Sequence, residues 1–156
     1  LSVKATHKLI NKGHNISLDM YGNGSDFIKV KKYINDNELY NDIKLYGNQS
    51  KEIVKQAFQK SHFLVFISKS EGWPKVVAES MFWSCLPVST KVSCIPYMLD
   101  YGNRGALIND NLDEVIEKIE SYIAHKKRYA EHVENAKKWS QQFTLDAFEE
   151  AIKELV

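Results

Sequence analysis

Glu71 and Glu79 stand with seven residues between them in the stretch SEGWPKVVAES, residues 70–80. An ionised carboxylate only accepts hydrogen bonds, so its natural partner carries hydroxyls. Pro74 lies between the pair and is favoured in a first helical turn, so a helix is expected to begin there with Trp73 near its cap. Glu71 then belongs to the preceding loop and Glu79 to the second turn. The N–H groups of Lys75, Val76 and Val77 lie between the carboxylates and are placed to bind an anion. Gly72 lets a ligand approach the backbone closely. Hydroxyls at both ends with phosphate in the middle describe a sugar nucleotide: ribose, diphosphate, sugar. Two solvated glutamates at an ordinary helix start have the same spacing, so the spacing leaves both readings open.

The elements that must position this stretch alternate in type. NISLDMYG (15–22) reads as a strand, with Ile16, Leu18 and Met20 alternating against polar neighbours. Gly22-Asn23-Gly24 is a turn, after which Ser25 is placed to cap a helix carrying Phe27, Val30 and Ile34 on one side. DIKLYG (42–47) is a second alternating strand, and Ser50 opens a helix with Ile53, Val54, Ala57 and Phe58 facing inward. HFLVFIS (62–68) is apolar almost throughout, as a parallel strand covered on both faces should be. LPVST (86–90) is another buried strand, IPYML a short helix and RGALI (104–108) the last strand. Asn111 with Glu114 three residues on resembles a capping box and opens a helix with the stripe Leu112, Val115, Ile116, Ile119 and Ile123. Helical text continues to the end, interrupted near Gln142-Phe143-Thr144. This alternation predicts an α/β, Rossmann-like parallel sheet with helices on both faces, forming one domain over residues 1–156. Ligands of such folds bind beyond the carboxyl ends of the strands, which points at the loop after residues 62–68.

Composition narrows the function further. Lys+Arg (21) nearly balances Asp+Glu (20), which argues against nucleic acid as a partner. The longest apolar run, FLVFI (63–67), is far too short to span a bilayer. Cys85 and Cys94 lack CxxC or Cys/His company and read as idle thiols of a reducing cytoplasm. The histidines at 7, 14, 62, 125 and 132 are scattered away from the glutamates and are read as non-catalytic. His125-Lys126-Lys127-Arg128 reads as a solvated helix end, since cations favour helix C-termini; a lipid-headgroup patch is the alternative. The chain starts without Met and in helical text, with Leu1, Ala5 and Leu9 on one face and Lys4, Lys8 and Lys12 on another, as a piece of a longer protein would.

The run EGWPKVVAESMFWSCLPVSTKVSCIPYML (71–99), with YGNRGALI (101–108), closely resembles the donor-binding half of glycosyltransferase family 4, the group 1 retaining enzymes of GT-B fold. Their hallmark is a glutamate pair at this spacing, a small-residue helix, a strand of G-x-P-V type and a G-(I/V)-P loop. These correspond here to Glu71 and Glu79, Leu86-Pro87-Val88 and Cys94-Ile95-Pro96. LDMYGNGSD resembles the family's strand ending in a G-x-G turn, which places Gly22 in the site, and NDIKLYGNQSKEI its second strand and cap. The resemblance implies that Glu71 is catalytic and holds hydroxyls of the donor sugar, while Glu79 holds the ribose. It assigns backbone of Gly72, Trp73, Lys75 and Val76 to sugar and diphosphate, and Tyr46, Gly47 and Asn48 to the base. It implies a nucleotide-diphosphate sugar as substrate, no metal or other cofactor, and a glycan or lipid-linked acceptor met through an absent N-terminal domain. A cytoplasmic enzyme of bacterial surface polysaccharide synthesis, in peripheral contact with the membrane when full-length, is the implied setting.

Departures from the pattern qualify this. Pro74 replaces a frequent Gly and lacks an N–H. Ser93 and Cys94 replace the glycines before Ile-Pro and are expected to tighten that loop. The family's first strand and its diphosphate-clasping basic loop have no counterpart in the chain. In the order 3-2-1-4-5-6 that strand is central, flanked by residues 15–22 and 62–68, with 42–47 at an edge. Phe82-Trp83 is expected in the core or a domain interface. Leu145, Phe148, Ile152 and Leu155 are the expected buried stripe of the closing helix, exposed in part without the other domain. A non-catalytic docking module of the same fold and a GT-B epimerase are the competing readings.

Overall fold

The structure is a computed structural model and describes residues 1–154. Its elements are α1 (Ser2–Asn11), β1 (Leu18–Tyr21), α2 (Phe27–Asp36), β2 (Ile43–Gly47), α3 (Lys51–Lys60), β3 (Phe63–Phe66), α4 (Lys75–Phe82), β4 (Leu86–Thr90), α5 (Ile95–Met98), a 3₁₀ turn (Asp100–Gly102), β5 (Ala106–Ile108), α6 (Leu112–Ala124), α7 (Lys126–Ser140) and α8 (Leu145–Lys153). Every strand pairing is parallel. β1 lies beside β2, with Leu18 opposite Ile43 and Met20 opposite Leu45. β3, β4 and β5 form a second sheet in that order, with Val65 opposite Val88 and Val88 opposite Ala106. Instead of the single sheet expected, the strands form two, β2–β1 and β3–β4–β5, and among the described residues β1 and β3 each pair on one side alone.

That topology explains two departures from the periodicity reading. All five residues of β4, the middle strand of its sheet, are buried, whereas all four of β3 are only half-buried. β3 is an edge strand here, so its continuous apolar run is not covered as expected. α3 shares its fate: Phe58 is buried, but Ile53 is 42% exposed and Val54 and Ala57 are half-buried.

Two apolar clusters result, and α1 reaches both. Ala5 and Leu9 pack with Val77, Met81, Leu86, Val88, Ile108 and Val115 beneath β4 and β5. Val3, with Ile10 half-buried beside it, joins Ile34, Leu39 and Ile43 next to β1 and β2. The other face of α1 meets α6 through charge. Lys12 Nζ lies 2.7 Å from Glu120 Oε2, and His14 Nε2 lies 2.9 Å from Glu120 Oε1. These hydrogen bonds, that from Lys12 foremost, hold the Glu120 carboxyl below the usual glutamate range. A folded-state value below the unfolded one stabilises the fold above the unfolded pKa of about 4.3, and that contribution is lost as pH falls through the folded value. The melting temperature should therefore fall less between neutral pH and pH of about 3 in Glu120→Gln than in the parent chain, by a small margin because the pair is solvated. Equal falls in a thermal melt series would remove Glu120 from the acid response.

Capping agrees at some helix starts and differs at others. Ser50 Oγ accepts from Ile53 N–H, as expected. α2 instead begins after Asp26, with no side-chain cap from Ser25. Asn111 accepts from Asp113 and Glu114 N–H, but Glu114 does not return to Asn111. It takes Asn109 N–H and Nδ2 at 2.7 and 2.8 Å, so the reciprocal box is not formed. In α6 the buried residue near the C-terminus is Tyr122, and Ile123 is 38% exposed. Lys126, Lys127 and Arg128 open α7 rather than closing α6, and the dipole disfavours cations there. In α8 Leu145, Phe148 and Ile152 are all exposed, none buried; Leu155 lies outside the described residues. No helix among the described residues is long and apolar enough to cross a membrane.

Candidate functional site

The carboxyl ends of β3 and β4 are tied together by one hydroxyl. Thr90 Oγ1 accepts from Ser68 N–H at 3.0 Å and donates to Ser68 O at 2.7 Å. Ser68 is thereby fixed, and its Oγ donates to Glu71 Oε1 at 2.7 Å. The half-buried Glu71 carboxylate is thus oriented through Ser68 from the end of β4. Hydroxyl-to-carboxylate bonds of this length are charge-assisted and strong. Neither Ser68 nor Thr90 was singled out by sequence reasoning; their 22-residue separation conceals the clasp, although Ser68 three residues before Glu71 is a local signal.

Beyond Glu71 the loop is clamped a second time. Gly72 O accepts from Ser93 Oγ at 2.8 Å and Cys94 Sγ at 3.5 Å, so both departures from the family pattern bind the loop between β3 and α4. Ser93 adopts φ 50°, a left-handed conformation that favours glycine. Buried Pro74 is the N-cap residue and α4 starts at Lys75, one residue later than expected, with no side-chain cap. Val77 N–H donates to Pro74 O at 3.0 Å and is not available to an anion, a correction to the sequence reading. Among the described residues, the N–H groups of Lys75 and Val76 at this helix start have no hydrogen-bond partner. They can serve an anion jointly.

Lys75 and Glu79, one turn apart and both exposed, face a cleft of about 360 Å³ between α4 and the end of α7. Its walls include Trp73, Phe82, Trp83, Trp139 and Phe143. Phe82 and Trp83 are therefore half-buried in the wall of the Glu79 cleft rather than in the core. Glu71 is not part of that wall.

The residues expected at the base form a separate group at the ends of β1 and β2. Tyr46 stacks on Tyr21 with ring centroids 5.0 Å apart and planes at 7°. Gly22 N–H donates to Gly47 O at 2.7 Å, and Gln49 Nε2 to Tyr46 O at 2.7 Å. Gly47 has φ +64°, and a Cβ there would lie 3.0 Å from the exposed Asn23 Oδ1, so the left-handed backbone favours glycine at this position. Asn48 is exposed beside it. None of this group lines the cleft beside Glu79.

Removing the Ser68 hydroxyl should leave the fold intact and loosen Glu71. Ser68→Ala is expected to lower affinity for a hydroxyl-bearing ligand of Glu71 by about tenfold or more, the worth of one hydrogen bond to a charged group. Calorimetry on variant and parent checks this, with equal affinities counting against the clasp.

A parallel α/β domain whose clasped carboxylate leads into an uncapped helix beyond the strand ends has a Rossmann-like architecture. The chain belongs to the glycosyl transferases group 1 family, whose model matches residues 1–139. It is 32% identical over 125 residues to a poly(glycerol-phosphate) alpha-glucosyltransferase of Bacillus subtilis, a match covering 80% of this chain and 17% of that protein. It is 28% identical over 136 residues to an uncharacterized glycosyltransferase of Methanocaldococcus jannaschii, covering 86% of this chain and 38% of that one. The Anabaena protein HepE, crystallised in complex with UDP and glucose, shares the fold with a TM-score of 0.78 at 20% identity; the match covers 99% of this chain and 45% of HepE. The chain thus spans less than half the length of each of these relatives, and its fold is the α/β architecture of GT-B glycosyltransferases.

Proposed function

We propose that this chain is the C-terminal, donor-binding domain of a retaining glycosyltransferase that binds a nucleotide-diphosphate sugar for transfer to a glycan or lipid-linked acceptor. The observation that carries the reading is Glu71, held by Ser68 at 2.7 Å just before the uncapped start of α4, with Glu79 one turn beyond Lys75. In this reading Glu71 accepts from hydroxyls of the donor sugar and orients its reacting carbon. The N–H groups of Lys75 and Val76 and the N-terminal dipole of α4 receive the diphosphate and stabilise its charge as it leaves. The backbone of Gly72 and Trp73 lets sugar and diphosphate lie close. Glu79 accepts from the ribose hydroxyls. The base lies toward Tyr46, Gly47, Asn48 and Gly22, where Tyr21 and Tyr46 offer an aromatic face. Internal bonds to Tyr46 O and Gly47 O direct the base toward main-chain donors rather than those acceptors. HepE, of the same fold and crystallised with UDP and glucose, supports a nucleotide diphosphate as part of the ligand. A second domain supplies the acceptor site.

The test is a calorimetric titration with UDP, GDP and ADP and their hexose conjugates, on this chain and on a version extended upstream. Saturable binding of one nucleotide names the base. Absence of binding in both forms would sink the donor-domain reading and leave a docking module of the same fold.

A further inference from the structure

Lys91 after β4, Lys118 of α6 and Arg128 of α7 converge on a second cleft, of about 300 Å³, which shares no wall residue with the cleft beside Glu79. It opens at the outer edge of β5, which pairs with β4 alone. Tyr101 and Ser121 also line it. No carboxylate stands among the wall residues identified within the described chain. Two ionised acids of α6 flank the cations: Glu114, held by Asn109 N–H and Nδ2 at 2.7 and 2.8 Å and within the field of Lys91 and Lys118, and Glu117, 3.6 Å from Lys118, with which a bound phosphate competes. A concave surface lined by charges of one sign focuses the field and concentrates the opposite ion. Exposed Lys126 and Lys127, next to Arg128 in the first turn of α7, extend that field. A lysine ammonium supplies a compact point charge and a guanidinium a planar fork of donors, a combination suited to a tetrahedral oxyanion. Tyr101 is 77% exposed in a left-handed conformation with φ 51°, so its ring stands at the opening rather than in the core.

We propose that this cleft is a second anion site, independent of the donor site, that binds a phosphate group through Lys91, Lys118 and Arg128. The group belongs either to a small soluble phosphate or to an anionic lipid headgroup, and two arms of one experiment separate them. In the first, the isotope-labelled chain is titrated with inorganic phosphate and followed by NMR. In the second, the chain is sedimented with phosphatidylcholine vesicles with and without phosphatidylglycerol. Saturable shifts at the Tyr101, Lys118 and Ser121 amides, weakened about tenfold or more in Lys118→Gln/Arg128→Gln, identify a soluble phosphate ligand. Retention on anionic vesicles alone, lost in the same double variant, identifies a headgroup. Lys31→Gln, an exposed lysine outside the cleft, controls for net charge, and Lys91→Gln serves as the readout if the double variant does not fold. Absence of response in both arms, or equal weakening by Lys31→Gln, overturns the proposal.

Discussion

Glu79→Ala is expected to weaken binding of the preferred nucleotide diphosphate about a hundredfold while leaving the fold unchanged. The two ribose hydroxyls would each donate to one carboxylate, and hydrogen bonds to a charged group contribute about 1.5–3 kcal/mol each. Losing roughly 3 kcal/mol corresponds to two powers of ten in affinity. Glu79 is exposed and lies in the second turn of α4, so its loss leaves no buried group unpaired. Stability should therefore change by no more than about 0.5 kcal/mol. Glu79→Gln keeps one acceptor oxygen without the charge and should recover part of the affinity. Calorimetry with a thermal melt beside it separates the effects. A nucleotide bound equally well by Glu79→Ala would remove Glu79 from the site and leave Glu71 without its partner.

Gly105→Ala should cause a large loss of stability although it adds only one methyl group. Gly105 is buried, holds φ +151°, and a Cβ there would lie 2.6 Å from Pro87 O and 3.3 Å from a Leu99 methyl. Pro87 belongs to the fully buried β4, and Leu99 is fully buried beneath it. The carbonyl cannot retreat without shifting the register that pairs Leu64 with Pro87 and Val88 with Ala106. Overpacking and backbone strain together cost about 3 kcal/mol, a fall in melting temperature of roughly 10 °C for a chain of this size. Gly72, with open space around its would-be Cβ and no positive φ, should tolerate alanine with little loss of stability, so the pair forms an internal contrast. Equal melting temperatures for Gly105→Ala and the parent chain would show that the β4–β5 approach is looser than described.

The same contrast separates what sequence carries from what packing adds. The alternation of period-2 and period-3.6 stretches was sufficient for the parallel α/β order, because periodicity records which face of an element is apolar. It does not record whether a neighbour is present. The run from Phe63 to Phe66 and the stripe of Ile53 and Val54 therefore look buried in sequence and stand half-open or exposed in the fold. Charge likewise reads locally: Lys126–Arg128 suited the end of α6, but the chain breaks its helix at His125 and starts another. The Glu71/Glu79 spacing was legible because it lies within one loop and helix, where position along the chain fixes position in space.

By itself, then, the sequence determined the element order, the placement of Glu71 before α4 and Glu79 within it, and the family that this motif marks. Tertiary structure decided how those groups are held. Ser68 reaches Thr90 across 22 residues and Ser93 reaches Gly72 across 21, and both bonds exist because β3 and β4 end side by side. It also decided that Lys91, Lys118 and Arg128 share one cleft. The physical reason is common to all of these: a hydrogen bond or a shared field depends on distance in space, and only the pairing of strands and helices sets that distance.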